Sequence, residues 1–161
     1  MTLYIMAIDP GLLTGASIVK MKTMEDTPET LETAELIPKS FAPWVRGWLD
    51  ELIRVEAEQG DRYAVVCERF VINAATAKKT QAPWSLEQIG ILKQCLRDRG
   101  LDEESIFMQN PADAMKMFTN DSLRKIGVWH RGGDGHANDS LRHALLYAAR
   151  NGWVPRALLG E

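Results

Sequence analysis

Five short segments, four of them mainly apolar, have lengths typical of β-strands and are bounded by polar or turn-forming residues. The first, Leu3–Ile8, stops at an Asp-Pro-Gly turn, which predicts a buried strand. Gly15–Lys20 is the predicted second strand and Glu32–Pro38 the third, so these three would form a meander. Tyr63–Phe70 is continuously apolar at its centre and is expected inside a sheet. Ile106–Met108 is the fifth and shortest predicted strand.

Apolar residues at helical spacing predict helices between and after these strands. One helix is expected to open at Pro43 and to stop at Gly60. A second is expected to open at Ser85, because Gln88 three residues later would complete a capping box. Further helices are expected to open at Asn110–Pro111, at Asp121 and at about Ala137. This order of elements predicts the α/β class, with a mixed five-stranded sheet flanked by helices.

Length and composition are those of an ordinary globular protein. With 161 residues, 45% of them hydrophobic, positions 1–161 suit one domain with a single core. No apolar run approaches the roughly 18 residues that a membrane span needs, and no basic leader precedes the first strand. We therefore expect a cytoplasmic protein without a membrane partner, in which Cys67 and Cys95 are free thiols.

The net charge of -3 disfavours a polyanionic partner at first sight, but the charge is unevenly distributed. Acids outnumber bases ten to four between Met21 and Asp61, whereas Arg69–Arg99 holds six bases and two acids. Lys116–Arg131 holds four bases and one acid. One interpretation is a basic face that binds nucleic acid, and the other is solvated charge spread over the surface.

Four side chains of metal-binding type lie at the ends of predicted elements. Asp9 ends the first strand, Glu68 lies near the end of the fourth, and His136 and Asp139 occupy the first turn of the last helix. If the first and fourth strands are neighbours, Asp9 and Glu68 are adjacent. A spacing of three places His136 and Asp139 on one helix face. The pattern therefore predicts that all four converge.

Clustered carboxylates repel one another, and a divalent cation would remove that repulsion. Oxygen-rich sites favour Mg²⁺, or Mn²⁺ where an imidazole such as that of His136 is added. Two ions about 3.5–4 Å apart can serve phosphodiester hydrolysis. Each residue also has a structural interpretation. Asp9 suits a turn, Asp139 suits a helix N-terminus, His136 could belong to the loop, and Glu68 would need a partner beside its buried strand.

Three other residues have both a structural and a functional interpretation. His143 lies seven residues after His136, near the same helix face but two turns from the proposed site, so packing or support of the site is favoured over metal ligation. Strand alternation points Cys67 away from Glu68, as a small buried residue. Trp84 follows a basic stretch and is either a core residue or a platform for a nucleic-acid base.

Three segments resemble the acidic motifs of the RuvC-type Holliday junction resolvases, most closely the phage-encoded branch. They are Ile8–Gly11 with Thr14–Gly15, then Val66–Phe70, then Gly135–Leu145. The resemblance implies an RNase H-like fold and a homodimer that nicks two opposed strands of a four-way DNA junction with Mg²⁺. For a phage-encoded chain, the location would be the host cytoplasm.

The resemblance also implies roles for individual residues. Asp9, Glu68 and Asp139 match the metal-binding carboxylates, and His136 falls where many members have a fourth carboxylate and some have histidine. Lys116 resembles a basic residue near the scissile phosphate. Either Phe70 or Val71 aligns with an aromatic residue that disturbs base stacking at the junction centre. The residues suited to contacts with the DNA backbone are Arg69, Lys78 and Lys79.

Three rival functions stay open. The first is a branched-DNA nuclease of the same fold that cuts forks or flaps. The second is an actin-like phosphotransferase, because Asp9–Gly15 also resembles the phosphate-binding turn of that superfamily, although such enzymes close two domains around a nucleotide. The third is a junction-binding protein without catalysis, which retention of all three acids disfavours.

Overall fold

The computed structural model describes residues 1–22, 27–75 and 82–159. Its strands are β1 (Leu3–Asp9), β2 (Thr14–Met21), β3 (Glu29–Leu36), β4 (Arg62–Glu68) and β5 (Phe107–Gln109). Its α-helices are α1 (Pro38–Gln59), α2 (Ala82–Arg97), α3 (Pro111–Met117), α4 (Asn120–Ile126) and α5 (His136–Arg150). Short 3₁₀ turns occupy Glu103–Ser105 and Arg156–Leu158. The predicted strands are all present, with ends within three residues of those expected.

The five strands form one mixed sheet in the order β3-β2-β1-β4-β5. β1 pairs with β2 antiparallel and with β4 parallel, and β4 continues in parallel to β5. β4 therefore has a neighbour on each side, which confirms its predicted place inside the sheet. The predicted α/β class is confirmed, and the condition for adjacent Asp9 and Glu68, that the first and fourth strands are neighbours, is met.

Helices cover both faces of the sheet because β1 is apolar on both. Tyr4, Met6 and Ile8 pack with α1 and α2 on one face. Ile5 and Ala7 pack with α3, α4 and α5 on the other. This double burial accounts for the unbroken apolar run that the sequence shows at the first strand.

The first helix begins five residues earlier than expected. Pro38 occupies the start of α1 and Pro43 lies inside it, so the prediction that Pro43 opens the helix is wrong. Pro38 fits the first helical position, where its missing N–H has no intrahelical partner in any case, whereas Pro43 in the second turn lacks the N–H that would bond to the Lys39 carbonyl. Gly60 ends the helix as predicted, in the left-handed conformation with φ 69°.

The predicted caps of two other helices are also wrong. α2 begins at Ala82, so Ser85 lies inside it, and the buried Ser85 hydroxyl donates to the Pro10 carbonyl at 2.9 Å. A tertiary contact thus takes the hydroxyl that the capping box would use. In α4 the cap is Thr119, whose hydroxyl accepts from the Ser122 backbone N–H, and Asp121 lies in the first turn.

Cys67 and Cys95 are free and buried, as predicted, and Cys67 belongs to the core between the sheet and the α1–α2 layer. Burial raises the pKa of the Cys67 thiol well above its ordinary range, which suits an inert packing residue. Across residues 1–22, 27–75 and 82–159, no helix has the length and apolar character that crossing a membrane requires.

Candidate metal centre

A cleft of about 520 Å³ lies where β1 and β4 end and α5 begins. Ile8 pairs with Cys67 in the parallel ladder. The next residues, Asp9 and Glu68, therefore lie side by side at the C-terminal ends of β1 and β4. The first turn of α5 brings His136 and Asp139 to the same cleft. All four residues predicted as metal ligands therefore line one cleft.

Three of the four form a tight cluster. Ligand atoms of Asp9, His136 and Asp139 all lie within 4.8 Å of one another. His136 Nδ1 is 3.1 Å from Asp9 Oδ2. Asp9 is 7% exposed, whereas His136 and Asp139 are half-buried and open to the cleft. Two carboxylates and one imidazole at this separation form a donor set that fits a divalent cation.

Burial and crowding disfavour the charged forms of the carboxyl groups of Asp9 and Asp139. The pKa of Asp9 is raised to about 6, chiefly by burial; the hydrogen bond with His136 opposes this shift, and the charges of Glu68 and Asp139 add to it. Burial also raises the pKa of Asp139, although the Arg142 guanidinium opposes that shift. The hydrogen bond with Asp9 raises the pKa of His136, with burial opposing. A cation would supply the positive charge that this crowded, partly dry site lacks.

Glu68 lies in the cleft but is engaged by another partner. Its Oε2 is 2.9 Å from His143 Nε2, and His143 Nδ1 is 2.9 Å from Gln109 Oε1. The prediction that His143 lies two turns from the site is therefore wrong, because the Glu68 side chain extends toward α5 and meets it. The structural need for a partner beside the buried strand is met by this histidine.

A buried arginine contacts Asp139. Arg142 donates to the Asp139 carboxylate, to the Asn120 side chain and, at 2.8 Å, to the Phe118 carbonyl. Its side chain is 5% exposed. Arg142 thus ties a cluster carboxylate to the start of α4. Arg142 was not predicted as a partner of the acids, although its spacing of three residues from Asp139 is a usable signal for one helix face. For His143, the favoured role of packing or supporting the site agrees with its contact to Glu68.

The N-terminus of α5 is held by an acid on the edge strand β3. The Glu35 carboxylate on β3 accepts from the backbone N–H groups of Asp134 and His136, at 2.9 and 3.0 Å. Burial opposes ionisation of Glu35, but these N–H groups outweigh it and lower its pKa. Gly133 has φ 68°, and a Cβ there would come within 2.6 Å of this carboxylate.

Two further contacts fix the same turn. A Cβ on Gly15 would lie 1.8 Å from the His136 carbonyl oxygen, so only glycine lets α5 approach β2 this closely. The Asn138 side chain accepts from the His130 backbone N–H and donates to the His130 carbonyl, at 2.9 and 3.0 Å. These contacts place His136 and Asp139 against the end of β1.

The remaining predicted site residues divide into three groups. Arg69 and Phe70 line the cleft, and Val71 beside them is 53% exposed. Lys116 is exposed on α3 and Trp84 is half-buried in α2, and neither lines the cleft. Lys78 and Lys79 lie outside the described residues.

No protein-family model matches the sequence, and no curated protein matches it. Among solved structures, RuvC of Thermus thermophilus superposes with a TM-score of 0.61 and 19% sequence identity. RuvC of T. thermophilus in complex with a Holliday junction substrate gives a TM-score of 0.62, also at 19% identity. Each match covers 95% of this chain and 98% of the RuvC chain. The chain has the RuvC fold. The expected RNase H-like architecture is thereby confirmed, while the phage-like branch stays a prediction.

Proposed function

We propose that this protein is a metal-dependent DNA endonuclease that resolves four-way junctions, with residues 1–161 as one nuclease domain. The cluster of Asp9, His136 and Asp139 at the strand ends of a RuvC fold is the observation that carries this proposal. One of the structurally similar RuvC chains was solved with a Holliday junction substrate.

Asp9, His136 and Asp139 would hold one divalent ion, and Glu68 would contribute to a second. Two such ions, Mg²⁺ or Mn²⁺, would supply Lewis acidity for phosphodiester hydrolysis when bound. The chain itself orients the donors. Arg142 fixes Asp139, His136 and Asp9 fix each other, and the covered position of Asp9 excludes bulk water from one side of the cluster.

The rim of the cleft is suited to DNA. Arg69 is exposed there and would neutralise a backbone phosphate, a contact that positions DNA without reading its sequence. Phe70 and the exposed Val71 follow at the same rim, and one of them would enter the junction centre. Lys116 on α3 would approach the scissile phosphate only if the DNA extends beyond the cleft, and Lys78 and Lys79 stay predicted backbone contacts.

A homodimer follows from the symmetry of the substrate. A four-way junction has two equivalent strands to cut, and one chain carries one such cluster within its described residues. Two subunits related by a two-fold axis would present two sites to those strands and make paired nicks.

The first test is cleavage of a labelled four-way junction beside matched duplex, fork and flap DNAs, with Mg²⁺, Mn²⁺ or chelator. We expect paired nicks in the junction that need metal. Asp9→Asn and Glu68→Gln should abolish cleavage and keep junction binding, because they remove charge from proposed metal ligands without changing side-chain size. Glu29→Gln, an exposed carboxylate on β3, is the matched control and should cleave normally.

Each contrary result points to a definite alternative. Preference for forks or flaps would keep the metal site and change the substrate. Binding of the junction without cleavage under every metal condition would favour the non-catalytic binding protein. Thermal stabilisation by a nucleotide would favour the actin-like phosphotransferase. Loss of junction binding together with cleavage in Asp9→Asn would contradict the assigned role of Asp9.

A further inference from the structure

We propose that His143 is a positioning residue for Glu68, which it holds so that one carboxylate oxygen stays available to a cation. The inference rests on the proposed function, since Glu68 matters here as a metal ligand. It assigns a task to a buried histidine that the three-donor cluster of Asp9, His136 and Asp139 does not include.

The contacts of His143 fix its ring. The residue is 1% exposed, and each ring nitrogen lies 2.9 Å from one oxygen, Nδ1 from Gln109 Oε1 and Nε2 from Glu68 Oε2. Gln109 is 4% exposed and pairs with Glu68 in the β4–β5 ladder. The three side chains therefore come from β4, β5 and α5 and converge at one point. Because a carboxylate oxygen only accepts, the hydrogen bond to Glu68 is donated by the Nε2–H of His143, and Nδ1 faces the side-chain amide of Gln109.

The position of His143 on α5 links Glu68 to the other ligands. His143 follows Asp139 by four residues, which places both on one face of the helix. Any movement of α5 that carries His136 and Asp139 would therefore carry the contact to Glu68 as well. The strand-borne and helix-borne ligands are connected through this hydrogen bond.

The bond engages only one of the two carboxylate oxygens. His143 takes Oε2, so Oε1 can face a cation in the cleft that Glu68 lines. A glutamate side chain has several rotatable bonds, and ordering it on binding costs conformational entropy. A partner that orders the side chain beforehand removes that cost. Such outer partners of metal ligands typically change metal affinity about 10–100-fold.

The inference is tested by titrating the full chain with Mn²⁺ and measuring free ion by electron paramagnetic resonance. His143→Leu keeps a similar volume and removes the hydrogen bond, so Mn²⁺ affinity should fall about 10–100-fold for the ion that Glu68 helps to bind. His143→Gln should restore most of this affinity, since its amide nitrogen can donate to Glu68 Oε2. Unfolding by urea of each variant reports folding separately.

A double-mutant cycle separates positioning from a general structural role. In the Glu68→Gln background, His143→Leu should cause no further loss of Mn²⁺ affinity, because its effect runs through Glu68. Equal losses in both backgrounds would overturn the inference, as would a folded His143→Gln variant that binds Mn²⁺ no better than His143→Leu. If the wild-type chain cleaves DNA but binds Mn²⁺ no more tightly than His143→Leu does, this inference alone is overturned. A wild-type chain that neither binds metal nor cleaves overturns the proposed function.

Discussion

The residues of the proposed metal centre reach it in two ways. Asp9 and Glu68 arrive on adjacent strands, where the backbone ladder and a core on both sheet faces fix their positions. His136 and Asp139 arrive on α5 after a glycine-rich turn, which a few single contacts hold in place. Backbone pairing thus fixes the strand pair. The body of α5 is packed in the core, and the position of the helix pair depends on the contacts that hold the first turn of α5 against β2 and β3.

This difference indicates where the site is vulnerable. A substitution that leaves the sheet intact should hardly move Asp9 and Glu68, because no single side chain sets the pairing register of β1 and β4. The helix pair should respond to substitutions at Gly15, Asn138 and Glu35, none of which is a proposed ligand. We expect Gly15→Ala to cost the most stability, Asn138→Ala less and Glu35→Ala the least.

Gly15→Ala should have the largest effect. The added Cβ would meet the His136 carbonyl oxygen at 1.8 Å, so α5 must move away from β2. We expect a loss of about 3 kcal/mol in the free energy of unfolding and a strong loss of Mn²⁺ affinity. Urea unfolding and Mn²⁺ titration measure the two. Gly47→Ala on α1 is the control. A Cβ at Gly47 would have no neighbouring atom within 4 Å, so this substitution should not destabilise the protein. A Gly15→Ala variant as stable as wild type would contradict the close approach.

Asn138→Ala should cost less. It removes two hydrogen bonds to the His130 backbone, which lies in the turn before α5, and leaves both backbone groups unpaired. We expect a loss of about 2 kcal/mol. Asn151→Ala near the C-terminal end of α5 removes one exposed hydrogen bond to the Tyr147 carbonyl and should cost about 0.5 kcal/mol. Equal losses in the two variants would show that the turn is not held by Asn138.

Glu35→Ala should have the smallest effect of the three. It removes a carboxylate that accepts from backbone N–H groups at the start of α5, an interaction worth about 1 kcal/mol. Because the same contacts orient His136, Mn²⁺ affinity should fall as well. Glu29→Ala on the same strand breaks only a 4.0 Å ion pair with Lys20 and should change stability by less than about 0.5 kcal/mol. Unchanged Mn²⁺ affinity in Glu35→Ala would remove Glu35 from the support of the centre.

The strand half of this arrangement was readable from the sequence. An apolar run that ends in an acid places that acid at the end of a strand, so the positions of Asp9 and Glu68 on their strands were predictable. Their adjacency depended on the first and fourth strands being neighbours, a condition that the structure meets. The helix start was predicted to within one residue, because its polar turn and periodic core face are local signals.

The supports of the helix half were not readable in the same way. Glu35 lies about 100 residues from the backbone groups it contacts. The polar residues of β3 are those expected of an edge strand, so they do not single out Glu35. Ser85 shows the same limit, since its local pattern indicates a cap and its actual partner is the distant Pro10 carbonyl. His143 was placed by helical spacing alone, which ignores how far the Glu68 side chain extends. Contacts between single side chains distant in sequence leave no periodic signal.

The late position of α5 in the chain has a consequence for biosynthesis. His136 and Asp139 lie on the last α-helix of the described chain, more than 120 residues after Asp9. A ribosome that has released β1 through α4 has made the sheet and neither of these two donors. The proposed nuclease centre therefore cannot assemble before α5 has been synthesised, and any cutting activity begins only after that stage.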